Sequence, residues 1–229
     1  MPLQSVAPVV HDNPALLSLL LGLTVFIVVA GGLALWYLSR RAVVRAWQRF
    51  AAEVDGEFKA KNSLSPERVL GTLSNRPFVL ETALSHDDDA PYYHTRAASP
   101  VRNPSTFIMG VRRKSLLEEA QTRRDTALFD LKDPDFERHF FVVCNEGTHL
   151  ADILTEEVRR ELSRYSDIEI YARLSEIEWR RAGAQGDLRV IRRLNELLSQ
   201  MATTIDSLPK RTISLTDRMA AEELIAKGI

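Results

Sequence analysis

An uncharged apolar run at residues 14–38 constrains this chain more than any other feature of its sequence. A helix needs about 20 apolar residues to cross the hydrocarbon core of a bilayer, and this run is longer. Within lipid, a helix is the one structure in which a single segment can pair all its backbone N–H and C=O groups internally. Asn13 is a suitable N-cap, and Pro14 suits the first helical position. The sequence therefore predicts one transmembrane helix over residues 14–38.

The two flanks of this predicted helix differ in charge. Residues 1–13 contain no Lys or Arg, whereas Arg40 and Arg41 follow the span at once. The positive-inside rule then places the N-terminus outside and the rest of the chain in the cytoplasm, with the span in the cell inner (cytoplasmic) membrane. Trp36 and Tyr37 lie at the level of interfacial aromatic residues, so we expect them to form the membrane interface together with the two arginines. A cleaved signal peptide is the alternative, but it needs a basic start and a shorter apolar run.

Composition and motifs argue against several classes of function. A formal net charge of −1 is not that of a chain that binds nucleic acid as a whole. Cys144 is the single cysteine, which excludes an internal disulfide and suits a reducing compartment. The chain has no Gly-rich phosphate loop, and the span holds no His, Cys, Asp or Glu for a haem iron or an ion pathway. We therefore predict no enzyme activity, no cofactor, no metal, no nucleic acid and no evident small-molecule substrate.

Apolar spacing divides the chain into five predicted parts. Val43, Trp47 and Phe50 recur at helical spacing, so the helix is expected to continue beyond the membrane. The parts are a short extracytoplasmic N-terminus at residues 1–13, the transmembrane helix at 14–38, its continuation at 39–60, a cytoplasmic α+β domain at 61–206, and a tail at 207–229 with a short helix at 217–227.

Short apolar or alternating runs dominate the predicted domain. Residues 168–172 and 176–181 alternate between apolar and polar, which is typical of antiparallel strands with one packed and one solvated face. Helices do not alternate regularly with strands, so we predict the α+β class, with an antiparallel sheet of about six or seven strands and packed helices. The predicted strands lie at residues 68–73, 78–84, 92–98, 106–112, 136–144, 168–172 and 176–181, and the predicted helices at 149–165 and 187–205.

Three segments of the domain carry a resemblance to a known group of proteins. They are the hairpin Val69-Leu70-Gly71 with Asn75-Arg76-Pro77-Phe78-Val79-Leu80, the pattern Phe129-Asp130 with Phe140-Phe141-Val142-Val143, and the helix at residues 187–205. In these segments the chain resembles bacterial membrane-anchored α+β domain proteins with one or two N-terminal spans. The resemblance implies the fold and the membrane anchor, and it implies no activity and no catalytic residues.

Two sets of residues are candidate interaction sites. Small and β-branched residues form one stripe on the span, on which another helix can pack closely, although a lone lipid-facing anchor remains the alternative. A basic cluster in the domain is a candidate docking patch for anionic lipid or for acidic loops of a neighbouring subunit, although an ordinary solvated surface remains the alternative. The stripe is Ser18, Gly22, Val25, Val29 and Gly32, and the patch is Arg180, Arg181, Arg189, Arg192 and Arg193.

Cys144 and His139 are a thiol and imidazole pair close in sequence. If both lie on the predicted strand 136–144, their side chains point to opposite faces of the sheet. A nucleophile and its base must lie within hydrogen-bond reach, so this pair is not expected to be catalytic. We expect Cys144 to be a packed core thiol.

These observations favour a non-catalytic, single-pass accessory or scaffold subunit of a larger integral membrane complex. Its partners would be the lipid bilayer and other integral membrane subunits, and its domain would brace their cytoplasmic face; a respiratory or photosynthetic complex is a natural host. The alternative is a membrane-tethered cytoplasmic sensor or ligand-binding module. An enzyme of unknown type is a third hypothesis.

Overall fold

Helix α1 (Pro14–Glu53) begins at the proline that was predicted for its first position. The computed structural model describes residues 14–61, 66–86, 91–114 and 131–210. It divides into two units, Met1–Val43 and Val44–Ile229. Among the described residues, one helix is long and apolar enough to cross a membrane, and no residue of its most apolar window is buried. The first unit thus contains the predicted membrane helix.

The last turns of α1 belong to the core of the second unit. Trp47 and Phe50 are buried there. The Trp47 indole N–H donates to the carbonyl of Gln185 over 2.8 Å, and the ring of Phe50 lies 5.7 Å from that of Phe78. The helix ends at Glu53, earlier than the predicted residue 60. Beyond it, the chain approaches the backbone of Leu70 so closely that any side chain at Gly56 would clash with the Leu70 carbonyl.

In the described part of the second unit, eight antiparallel strands form one sheet. They are paired in the order β1-β2-β3-β4-β8-β7-β5-β6. The α+β class is confirmed, and the strand count slightly exceeds the predicted six or seven. The strands are β1 (Glu57–Lys59), β2 (Arg68–Leu73), β3 (Arg76–His86), β4 (Pro91–Pro100), β5 (Met109–Arg113), β6 (Phe140–Cys144), β7 (Ile168–Ala172) and β8 (Glu176–Ala182).

The predicted β2–β3 hairpin is present. Leu70 pairs with Val79 across it. Ser74 and Asn75 have φ values of 50° and 60°, as the two central residues of a tight hairpin turn require. This turn matches the right-handed twist of the strands, so the register follows from local sequence.

Four further helices are present in the described residues. They are α2 (Pro134–His139), α3 (Leu150–Ile153), α4 (Glu156–Leu162) and α5 (Leu188–Ser207). Helix α5 packs against β2, β4 and β8. Its Asn195 accepts a hydrogen bond of 3.3 Å from the Trp179 indole, and both side chains are buried. The main core therefore lies between α5 and one face of the sheet.

Two predicted elements are wrong in their extent. Residues 136–144 are not one strand, because α2 continues to His139 and β6 begins at Phe140. Asp133 caps α2 by accepting a hydrogen bond of 3.1 Å from the Phe136 N–H, and this start signal outweighs the apolar run. The predicted helix 149–165 is two helices, since Thr155 caps a new one. The predicted tail helix at 217–227 lies outside the described residues.

Candidate interaction surfaces

The predicted stripe on the anchor is fully exposed in the structure. All side chains from Ser18 to Leu38 are exposed. A Cβ added at Gly22 or Gly32 would meet no atom within 4 Å. With 3.6 residues per turn, the five stripe residues share one side of α1, and Gly31 lies on the other side. The helix therefore offers a shallow, small-residue surface, and its contact with another helix stays a prediction.

The predicted interface residues lie within α1, just after the stripe. Trp36 and Tyr37 are exposed. Arg41 is exposed and Arg40 is half-buried. One polar group of the span is satisfied within the helix, since the Thr24 hydroxyl donates to the Leu20 carbonyl over 2.8 Å. The placement of the four interface residues at a membrane surface stays a prediction.

The five arginines of the predicted docking patch do not form one surface of free cations. Arg180 and Arg181 are neighbours on β8, so their side chains leave opposite faces of the sheet. Arg192 pairs with Glu53, and Arg193 lies 3.1 Å from a Glu157 carboxylate oxygen. Four of the five thus have a carboxylate partner, and Arg189 is exposed on α5. The four pairs are Arg180 with Glu178, Arg181 with Asp167, Arg192 with Glu53, and Arg193 with Glu157.

A small pocket of about 180 Å³ lies beside Arg180 and Arg181 and is also lined by Arg113. The Arg181 guanidinium lies 2.6 Å from an Asp167 carboxylate oxygen. The Arg180 guanidinium lies 4.8 Å from the centre of the Tyr171 ring. Arg181 and Arg180 are therefore already engaged by acidic and aromatic neighbours, and the ion pairs beside the pocket are part of the fold.

The sheet face opposite α5 carries a row of charged side chains, and sequence reasoning singled out Arg180 but did not predict the row. The Arg180 side chain projects from this face, because the side chain of its neighbour Trp179 points to the other face and contacts α5. We call the face that carries Arg180 the charged face. Across it, paired positions on six neighbouring strands hold, in order, Arg68, Glu81, Arg96, Arg180, Glu169 and Arg112.

Glu178 is the centre of this face and is fully buried. It accepts hydrogen bonds from Arg96 and from Arg180, the latter at 2.5 Å and 3.0 Å. Arg96 also donates to Glu176 over 2.6 Å and to Glu81 over 3.2 Å. Burial lowers the pKa of Arg96, but the three carboxylates outweigh burial and raise the pKa above its usual value. The network is internally satisfied, so its groups are not poised to exchange protons with a substrate.

An apolar groove of about 430 Å³ lies on the charged face, towards the β2–β3 turn. Its floor consists of Leu70, Val79 and Ala98, which are neighbours on three paired strands. Pro77 and Pro100 flank the groove towards the turn. The alternation of residues along β2, β3 and β4 could have predicted the floor strand by strand, but only the pairing of the three strands brings these side chains together.

The described residues offer no catalytic arrangement around Cys144 or any metal site. Burial raises the pKa of the Cys144 thiol to about 12. Its S–H donates to the Glu146 carbonyl over 3.3 Å, and the side chain is buried, as predicted. Within the described ranges no three His, Cys, Asp or Glu side chains gather in a way that would hold a metal ion.

Comparison with known proteins gives no family assignment. No family model matches the chain. No curated protein matches it in sequence. Among solved structures, the crystal structure of the mycobacterial trehalose monomycolate transport factor A, TtfA, is similar at 10% sequence identity and a TM-score of 0.49. The match covers 76% of this chain and 99% of that chain, and the likeness is confined to the backbone fold.

Proposed function

We propose that this protein is a non-catalytic, single-pass accessory subunit of a larger integral membrane complex. Its anchor would lie against transmembrane helices of other subunits, and its α+β domain would brace their cytoplasmic ends. The observation that carries this proposal is the anchor itself, an uncharged helix whose side chains from Ser18 to Leu38 are all exposed and which presents Gly22 and Gly32 on one open side.

The chemistry of helix contacts in lipid supports this role. Lipid tails are as apolar as Leu, so little hydrophobic force drives two membrane helices together, and close packing must supply the attraction. A Cβ at Gly22 or at Gly32 would find open space, which means that neither glycine is needed for packing against the described part of the chain. Small residues at these positions are explained if another backbone approaches them.

The chemistry of the domain also supports a non-catalytic role. The charged side chains of its central strands are paired with one another, and the Cys144 thiol has a pKa of about 12 and is buried. Such groups stabilise a surface and do not activate a nucleophile. We propose that the span lies in the inner membrane and that the domain lies in the cytoplasm. This orientation rests on Arg40 and Arg41, which follow the span.

Co-purification of a double variant tests the proposal. Gly22→Leu with Gly32→Leu keeps the span apolar but adds bulk on the stripe, so the protein should insert normally and be lost from its complex in mild detergent. Thr24→Leu with Gly31→Leu is the matched control, since both residues lie on the other side of α1. If both double variants co-purify with larger membrane proteins like the unmodified chain, the helix contact is wrong. An unmodified chain that always extracts as a lone monomer would contradict the subunit role.

A membrane-tethered ligand-binding module is the second candidate. The observation in its favour is the apolar groove above Leu70, Val79 and Ala98, whose volume of about 430 Å³ is within the range of small-molecule sites. Native mass spectrometry of the protein extracted from its source membrane separates the candidates. A bound small molecule of constant mass favours the module, and bound protein subunits favour the accessory role.

A further inference from the structure

Two large apolar side chains of the domain are exposed side by side. Leu84 on β3 is 43% exposed, and Tyr93 on β4 is 62% exposed. The two residues are directly opposite each other in the pairing of these strands. Among the described residues outside α1, no other large apolar side chain is exposed. Neighbouring exposed apolar side chains mark contact sites more often than single ones do.

The pair lies on the face of the sheet that carries the core. Leu80 and Ala97 are paired across the same two strands, and both are fully buried. Leu84 and Tyr93 lie four residues further along their strands, so their side chains project from the same face. The two strands therefore continue the apolar face beyond the buried core.

The first turn of α1 in the second unit lies at the same end of the sheet as the pair. The Trp47 indole donates to the carbonyl of Gln185, whose own N–H donates to the Thr95 hydroxyl over 2.8 Å. That hydroxyl donates to the Gly183 carbonyl, and the Gly183 N–H donates to the Tyr93 carbonyl over 2.9 Å. A short series of hydrogen bonds thus connects Trp47 to the strand end that carries Tyr93.

The later residues of α1 contact the opposite end of the sheet. The ring of Phe50 lies 5.7 Å from that of Phe78. The Val54 side chain lies so close to Gly71 that a Cβ added there would be 2.8 Å from it. Phe78 and Gly71 are paired near the β2–β3 turn, so α1 runs away from the exposed pair as it enters the domain.

The chain therefore leaves the domain towards the span at the end that carries the exposed pair. The second unit begins at Val44, and the apolar run ends at Leu38, six residues earlier. Six residues span at most about 20 Å. If the apolar run is in a membrane, this end of the domain is the one from which the chain reaches the lipid.

We propose that Leu84 and Tyr93 form a second membrane contact, through which the domain rests on the bilayer interface. This inference rests on the proposed membrane location of the span. Tyr is enriched at such interfaces because its ring is apolar and its hydroxyl stays in contact with water, and Leu gains from the removal of apolar area from water. The anchor keeps the effective concentration high, so a weak contact suffices.

The contact is apolar and does not depend on anionic lipid. In the sequence, three aspartates at residues 87–89 connect β3 to β4, so an anionic surface would repel this hairpin. The contact is therefore expected on a bilayer of zwitterionic phosphatidylcholine alone. A docking patch of arginines would show the opposite dependence, since it would gain from anionic lipid.

A fluorescent probe tests the contact in the full chain, reconstituted in phosphatidylcholine vesicles. Leu84→Cys carries the probe, and the native Cys144 stays unlabelled because it is buried with a pKa of about 12. Phosphatidylcholine with a nitroxide spin label should quench this probe. The same probe on Thr72→Cys, an exposed position beside the β2–β3 turn, is the matched control and should not be quenched.

Variants of Tyr93 separate contact from mere proximity to lipid. Tyr93→Asp replaces the ring with a charge, so the ratio of bound to free hairpin should fall by about tenfold, and the quenching at position 84 should fall with it. Tyr93→Phe keeps the ring and should keep the quenching. Tyr93 is 62% exposed, so the near-UV circular dichroism of both variants should match that of the unmodified chain.

Three results would overturn the proposal. The first is equal quenching at positions 84 and 72. The second is quenching at position 84 that requires anionic lipid, since charge would then make the contact. The third is quenching that disappears when the protein is diluted in lipid, which would identify a second copy as the occupant. Each of these outcomes in a chain that resists alkaline extraction from the vesicles leaves the anchor intact, whereas a chain that alkali extracts would also contradict the proposed function.

Discussion

The carboxylate of Asp206 joins the end of α5 to the β2–β3 turn through the Arg76 guanidinium, 2.7 Å away. Its other oxygen accepts a hydrogen bond of 2.5 Å from the Arg102 backbone N–H. Burial raises the pKa of Asp206, but the hydrogen bonds from Arg76 and from the backbone of Arg102 and Asn103 outweigh burial and hold the pKa below its usual value. The ionised form is therefore the one that the fold stabilises.

This contact predicts a pH-dependent contribution to stability. A carboxyl whose pKa is lower in the folded state contributes stability that is fully present above its unfolded pKa and is lost as the pH falls through its folded pKa. Asp206→Asn should lower the free energy of unfolding by about 2 kcal/mol at pH 7 and by little at pH 2. Thermal unfolding of the full chain across pH measures this. Asp152→Asn is the control, because this side chain is 70% exposed, and it should change neither value. An equal loss of unfolding free energy for Asp206→Asn at both pH values would contradict the prediction.

Removal of the central carboxylate of the charged face should be severely destabilising. Glu178→Ala leaves Arg96 and Arg180 without their shared acceptor in a site with no solvent exposure, so the free energy of unfolding should fall by about 3–5 kcal/mol. Glu176→Ala is the matched control. It removes one partner of Arg96 at a side chain that is 33% exposed and should cost about 1 kcal/mol or less. Equal losses in urea unfolding would show that Glu178 is not the centre of the network.

The end of α1 is expected to be part of the folding unit. A fragment that begins at Ala42 should fold cooperatively, whereas one that begins after Glu53 should lose its near-UV circular dichroism because Trp47 and Phe50 are missing from the core. In the longer fragment Trp47→Ala should cost about 3–5 kcal/mol. The exposed neighbour Gln48 provides the control, as Gln48→Ala should change the free energy of unfolding by less than about 0.5 kcal/mol.

The orientation of the anchor can be tested with a membrane-impermeant thiol reagent on intact cells. Ser5→Cys should react, since residues 1–13 are predicted to be outside. Gln200→Cys, at an exposed position of α5, should not react until the cells are permeabilised. The native Cys144 stays silent because the buried thiol has a pKa of about 12. The opposite pattern would place the domain outside the membrane.

Local sequence patterns predicted part of the fold because the physics behind them is local. The β2–β3 hairpin depends on Ser74 and Asn75 adopting positive φ, and such turns are set by a few neighbouring residues. A signal of the same kind is present at Asp133 and Pro134, where the cap and the proline start α2, and this helix then occupies the first part of the predicted strand 136–144. The break between α3 and α4 at Thr155 is a second cap of this kind.

The sequence by itself determined the long apolar helix and the α+β class. Whether residues 14–38 can lie in lipid depends on their own charge and length, and the alternation in residues 168–172 and 176–181 depends on neighbouring residues alone. The tertiary structure decided which strands are paired. Arg96 meets Glu178, 82 residues further along the chain, because β4 pairs with β8. No local period encodes such a pairing, since it follows from the total packing of the sheet against α5. The charged face and its apolar groove exist only once the strands that form them are paired.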